Sequence, residues 1–175
     1  KFTSQEIGYL MDFVRKGGGL FVLGDHTNLM DCYLNLNPIL EKFGLHLNFD
    51  YSMLWEPHFS SLANFDSTEE TAGGTLAINR SDALIYYALK YTTWADRGDW
   101  NAENRAYLGN VITDKDEDYG FLPICASVNF GKGRIIAIAN SDSISGPNLL
   151  YNLDFVGKVL NHLNYENSLF MSIWF

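Results

Sequence analysis

Four polar side chains in succession, Asp25-His26-Thr27-Asn28, follow the apolar run Gly19-Leu20-Phe21-Val22-Leu23-Gly24. A carboxylate, an imidazole and two neutral oxygens at one point can bind a divalent ion or orient a polar ligand. The structural alternative is that Asp25 caps the next turn and His26 is a hydrogen-bonded core histidine. A second polar cluster, Asn140-Ser141-Asp142-Ser143, follows the apolar run Arg134 to Ala139. It offers Asp142 as the remote partner of Asp25 and His26. Ser141 as the nucleophile of a Ser/His/Asp hydrolase lacks the Gly-x-Ser-x-Gly elbow that exposes such a serine.

Glu56-Pro57-His58 is a third cluster, inside a long irregular stretch. Folded over the sheet edge, Glu56 and His58 would join Asp25 and His26 as two imidazoles and two carboxylates, a set suited to Zn²⁺, Mn²⁺ or Fe²⁺. No H-E-x-x-H spacing accompanies them, and a solvated loop is the competing reading. Asp114-Lys115-Asp116-Glu117-Asp118 lacks the central glycine and late glutamate of a calcium loop, and reads as a solvated acidic turn. The aromatics Tyr51, Trp55, Phe59, Phe65, Trp94 and Trp100 fall in irregular stretches. They are either faces that hold sugars or peptides, or plugs that fasten loops to the sheet.

The elements that position these groups follow from periodicity and turn chemistry. Thr3-Ser4-Gln5-Glu6 is a capping box, and Ile7, Leu10, Met11 and Val14 follow at helical spacing until Gly17. The apolar run between Gly19 and Gly24 predicts a strand buried on both faces, whose carboxyl end is where open α/β sheets bind ligands. A loop and a short helix follow, with Pro38 near its first turn, Ile39, Leu40 and Phe43 as its apolar face and Gly44 at its end. Leu45 to Phe49 alternates as a strand. Residues 50 to 75 predict a long loop, Ala83 to Tyr91 a strand, and Trp94 to Asn104 a second excursion. Leu122 to Phe130 and Arg134 to Ala139 read as a hairpin about Gly131-Lys132-Gly133. Leu149, Leu153, Val156, Leu160 and Leu163 mark a last amphipathic helix. The apolar end, Leu169 to Phe175, reads either as a final core strand or as the start of a membrane span.

The chain has 175 residues, 47% of them apolar, which suits one α/β domain over residues 1–175 with a real core. A net charge of −9 opposes phosphate backbones, so nucleic acid is not an expected partner. Cys32 and Cys125 have no zinc spacing; they are two buried thiols or, outside the cytoplasm, one disulfide. Because Lys1 is no initiator methionine, the chain is expected to be a fragment of a longer protein.

The order of these parts resembles the class I glutamine amidotransferase-like superfamily. The resemblance rests on "GGGLFVLGD", on "NPILEKFGLHLNFD" with Asn37, Leu40, Phe43, Gly44, Asn48 and Asp50, and on "GKGRIIAIANSDSIS". It is closest to the non-catalytic branch, which includes domains of intraflagellar-transport proteins and of gliding/ABC-transport-associated membrane proteins. It implies a flavodoxin-like three-layer sandwich. Neither cysteine lies on a Gly-x-Cys-x-Gly elbow and no His-x-Glu pair occurs, so glutaminase chemistry is not expected.

The sheet is accordingly expected to be mostly parallel, with helices on both faces and an antiparallel hairpin near its end. The leading function is a non-catalytic module, without cofactor, that binds a protein or a small polar ligand such as a glycan. Its crevice would be lined by Asp25, His26, Thr27, Asn28, Ser141 and Asp142. It would belong to an envelope-associated protein, an extracytoplasmic domain whose membrane tether lies outside this chain. The rival is a metal-dependent hydrolase using Asp25, His26, Glu56, His58 and Asp142, with a divalent ion activating water.

Overall fold

A computed structural model describes residues 1–54, 74–87, 93–97, 114–120, 122–164 and 170–174. Helix α1 (Ser4–Arg15) begins at the expected capping box: Glu6 N–H donates to Thr3 Oγ1 and Thr3 N–H to the Glu6 carboxylate. It buries Ile7 and Val14 and leads into β1 (Gly19–Leu23), every residue of which is buried. Helix α2 (Cys32–Leu40) begins six residues before Pro38, which occupies its last turn and not its first. Asp31, the N-cap, makes no side-chain cap bond; Asn28 Oδ1 instead satisfies a first-turn donor, accepting from Leu34 N at 3.1 Å. Gly44, in the left-handed region at φ 76°, ends the following turn.

Strands β2 (Leu45–Leu47) and β3 (Tyr51–Leu54) follow, then β4 (Leu76–Ile78), β5 (Leu84–Tyr87), β6 (Thr93–Asp96) and β7 (Asp118–Gly120). Tyr51–Leu54 and Thr93–Asp96, expected to be irregular, are thus strands. They pair with each other, and Ser52 and Ala95, facing across the ladder, are both buried. The stability of such short strands comes from the partner, which local periodicity does not reveal. Strands β8 (Pro123–Phe130) and β9 (Gly133–Ile138) form the expected hairpin, closed by the pair Phe130 and Gly133. Helices α3 (Gly146–Tyr151) and α4 (Leu153–Leu163) precede β10 (Phe170–Trp174).

The main sheet has the order β10-β1-β9-β8-β5. Strand β1 runs parallel to both β10 and β9, whereas β9–β8 and β8–β5 are antiparallel. The sheet is therefore mixed and not mostly parallel, because the tight hairpin reverses β8 and β5 then pairs with it antiparallel. A two-stranded sheet, β2-β4, and a three-stranded sheet, β3-β6-β7, accompany it. The apolar terminus is resolved by the β1–β10 pairing: Phe170–Trp174 is a sheet strand and not the beginning of a span. Among the described residues no helix is long and apolar enough to cross a membrane.

Alternation along β1 divides the core. Leu20 and Val22 pack with Ile7 and Val14 of α1 and Leu36, Ile39 and Leu40 of α2. Phe21 and Leu23 pack with Phe155, Val159 and Leu163 of α4. Helices therefore lie on both faces. The expected single last helix is broken at Asn152, and its buried stripe is rotated from the predicted one. Phe155, Val159 and Leu163 point inwards, while Leu153 is 55% and Leu160 39% exposed. Two apolar stripes compete on this segment, and the one carrying the aromatic ring fills the sheet face. Cys32 and Cys125 are free buried thiols in different halves of the core, which excludes the disulfide. Burial pushes them up to about 11 and about 12, so neither is a ready nucleophile.

Candidate functional site

Parallel pairing of Leu23 with Ile138 makes the segments after β1 and β9 leave the sheet side by side, tied by Gly24 N–H donating to Ile138 O at 2.8 Å. Ser141 then reaches Asp25: its Oγ donates to Oδ2 at 2.6 Å. Asp25 Oδ1 accepts from the His26 backbone N–H at 2.8 Å and lies 3.8 Å from His26 Nε2. His26 Nδ1 is 3.2 Å from Thr27 Oγ1, and its ring meets Tyr51 edge-to-face with centroids 4.9 Å apart. Asp25, His26, Thr27 and Asn28 are all buried. Cys32 Sγ lies 3.6 Å from the Asp25 carbonyl oxygen, which accepts its proton.

Thr27 has φ 49°, a left-handed conformation that is costly for a β-branched residue. It is held there by its N–H donating to Asp50 O at 2.8 Å. Asn28 spends its amide on α2, accepting from Leu34 N and donating to Asp31 Oδ1 at 3.1 Å. It serves the start of the helix, a role that the structural reading gave to Asp25.

A third segment crosses both strand ends. Gly74 N–H donates to Ala139 O at 2.7 Å, and a Cβ there would stand 3.1 Å from Asp25 O and 3.2 Å from His26 Cα. Next to it, Thr75 donates from its backbone to Asp50 Oδ1 at 2.7 Å and from its hydroxyl to Oδ2. Asn48 Nδ2 donates to that hydroxyl at 2.9 Å. Burial pushes the Asp50 carboxyl up to about 6, against the opposing pull of the Thr75 hydrogen bonds and the Arg97 charge. Asp50 carries no local signal of this role, since the groups that act on it are Thr75 and, beyond β6, Arg97.

The expected constellation is thus assembled in part. Asp25, His26, Thr27, Asn28 and Ser141 come together, with Ser141 reaching Asp25. Asp142 lies in the 3₁₀ turn Ser141–Ile144, and its side chain is outside the described set. Glu56, His58, Trp55, Phe59, Phe65 and Trp100 also lie outside the described residues. Among the described residues no group of three His, Cys, Asp or Glu side chains could hold a metal ion. The acidic turn is not merely solvated: Arg97 pairs with Asp118, and its backbone N–H donates to Glu117 at 3.0 Å. Ser141 sends its proton to a carboxylate and not to an imidazole, so the serine–histidine–aspartate order of a hydrolase relay is not what joins these residues.

The class defined by fold and site is a mixed α/β domain whose strand ends are joined by buried polar side chains. No family model matches the sequence, and no curated protein matches it. Among solved structures it is similar to the mmIFT52 N-terminal domain, with 17% identity and a TM-score of 0.58 over 95% of this chain and 73% of that one. That likeness is one of fold.

Proposed function

We propose that this chain is a non-catalytic partner-binding module built as an amidotransferase-like, flavodoxin-like three-layer sandwich. Its docking surface is the strand-end crevice of Asp25, His26, Thr27, Asn28, Ser141 and Asp142, and its partner a protein segment or a small polar ligand such as a glycan. The observation that carries the reading is the use made of Asp25. Its two oxygens accept from Ser141 and from the His26 backbone, which joins the two strand ends through a buried carboxylate. Helices on both faces of one sheet support the sandwich, and the likeness to the mmIFT52 N-terminal domain supports the fold.

The test pans the folded domain against a glycan array and a displayed peptide library, with Ser141→Arg as counter-selection. Ligands held by the wild type and lost by the variant, with amide shifts centred on residues 25–28 and 141, are the expected result. Turnover in an ester panel that Ser141→Ala abolishes would overturn the reading. So would ligands indifferent to Ser141→Arg.

A further inference from the structure

At the far end of α2, Asn37 holds the backbone of Leu47 with both atoms of its amide. Oδ1 accepts from Leu47 N at 2.7 Å, and Nδ2 donates to Leu47 O at 3.1 Å. These backbone partners fix which amide atom is oxygen, because an N–H only donates and a carbonyl only accepts. The same Nδ2 lies 3.3 Å from His46 Nε2. Facing a donor, Nε2 must present its lone pair, so the ring proton sits on Nδ1, 3.1 Å from Glu41 Oε1. The Tyr33 ring meets His46 edge-to-face at 5.4 Å. From β4 the residue opposite His46 is Ala77, and Arg80, packed at Gly44, is engaged by Asp82. Among the described residues, Glu41 and Tyr33 are therefore the titratable groups that face the imidazole.

We propose that Asn37, Glu41 and His46 form a proton-gated clamp between α2 and β2, closed while His46 is neutral and opened by its protonation. Histidine is the side chain that changes charge within the physiological range. A proton added to Nε2 sets an N–H against the Asn37 N–H₂. Asn37 cannot reverse its amide without facing oxygen to the Leu47 carbonyl and nitrogen to the Leu47 N–H. Those two buried bonds outlast the partly exposed one, so the ring leaves Asn37 and swings towards Glu41. The same helix receives the Asn28 bond at its other end, but the clamp stands independently of any ligand at the strand-end crevice.

The test is nitrogen- and carbon-resolved NMR of the whole chain. At neutral pH His46 should be the Nδ1–H tautomer, and on acidification the Asn37 side-chain amide signals should move in step with the His46 ring. Glu41→Lys, at an exposed position, replaces the acceptor with a donor. By removing the carboxylate that favours the charged ring and placing a positive charge beside it, the variant should keep the Asn37 signals at their neutral-pH positions to a lower pH than in the wild type. An Nε2–H tautomer in the neutral protein would overturn the proposal. So would Asn37 signals that ignore the titration, or that move at the same or a higher pH in Glu41→Lys.

Discussion

At its amino-terminal end the β1–β9 pair is closed by glycine and backbone, whereas at its carboxyl end it is closed by buried side chains. In the first region Lys132 N–H donates to Arg15 O at 3.0 Å and Arg134 N–H to Gly18 O at 3.2 Å. A Cβ on Gly133 would stand 2.1 Å from Val14 O and 2.2 Å from Gly18 O. In the second region Asp25, Asp50, Thr75 and Ser141 are drawn together from four distant points of the chain. At the first end a side chain on Gly133 has no room. The second is built of polar side chains, and it requires hydrogen bonds to offset the burial of every group in it.

The largest effect is expected at the glycine end. Gly133→Ala forces backbone against backbone where nothing flexible can give, and should cost about 3 kcal/mol or more, a large part of a domain's stability. Urea unfolding would measure it. A midpoint unchanged within error would show that this end is looser than its contacts imply.

The polar end should instead respond to pH. The Asp50 carboxyl titrates at about 6 in the folded chain against 3.8 as a free side chain, so between those values the folded state binds the extra proton. Stability is therefore greatest below about pH 4 as far as this group is concerned. It falls as pH rises towards 6, by up to about 3 kcal/mol. Asp50→Asn, which cannot ionise, should flatten that part of the curve. A wild type whose stability rises through the same window even after Asp50→Asn is subtracted would show that the Thr75 hydrogen bonds and Arg97 outweigh burial.

Ser141→Ala removes one donor from the Asp25 carboxylate and should cost about 1–3 kcal/mol, with no change in the glycine end. Additivity with Gly133→Ala, measured in the double variant, would confirm that the two ends are separate units.

The same contrast governs how much could be read beforehand. The glycine end was legible because its determinants are local: the capping box, the Gly131-Lys132 turn and two apolar runs dictate α1, β8 and β9. At the polar end, strand-end logic pointed to two segments, of which Ser141 bonds Asp25 while the Asp142 side chain lies outside the described set. Asp50 was invisible as a buried acid because its hydrogen-bond partner, Thr75, and the Arg97 charge lie far from it in sequence. The rotated stripe of α4 has a similar cause, since Phe155 and Leu153 are equally apolar in sequence and only the sheet face decides between them.

The smallest effect isolates the reason for the largest. Gly157 lies inside α4, and a Cβ there would meet no atom within 4 Å. Gly157→Ala therefore adds helix propensity with no collision, and should stabilise the chain by about 0.5–1 kcal/mol. The two substitutions are chemically the same and opposite in expected sign, because Gly133 is glycine for want of space and Gly157 is not. A destabilised Gly157→Ala would mean that α4 sits closer to a neighbour than its open flank indicates. A gain beside a large loss at Gly133 would tie the closure of the amino-terminal end to the approach of backbone on backbone.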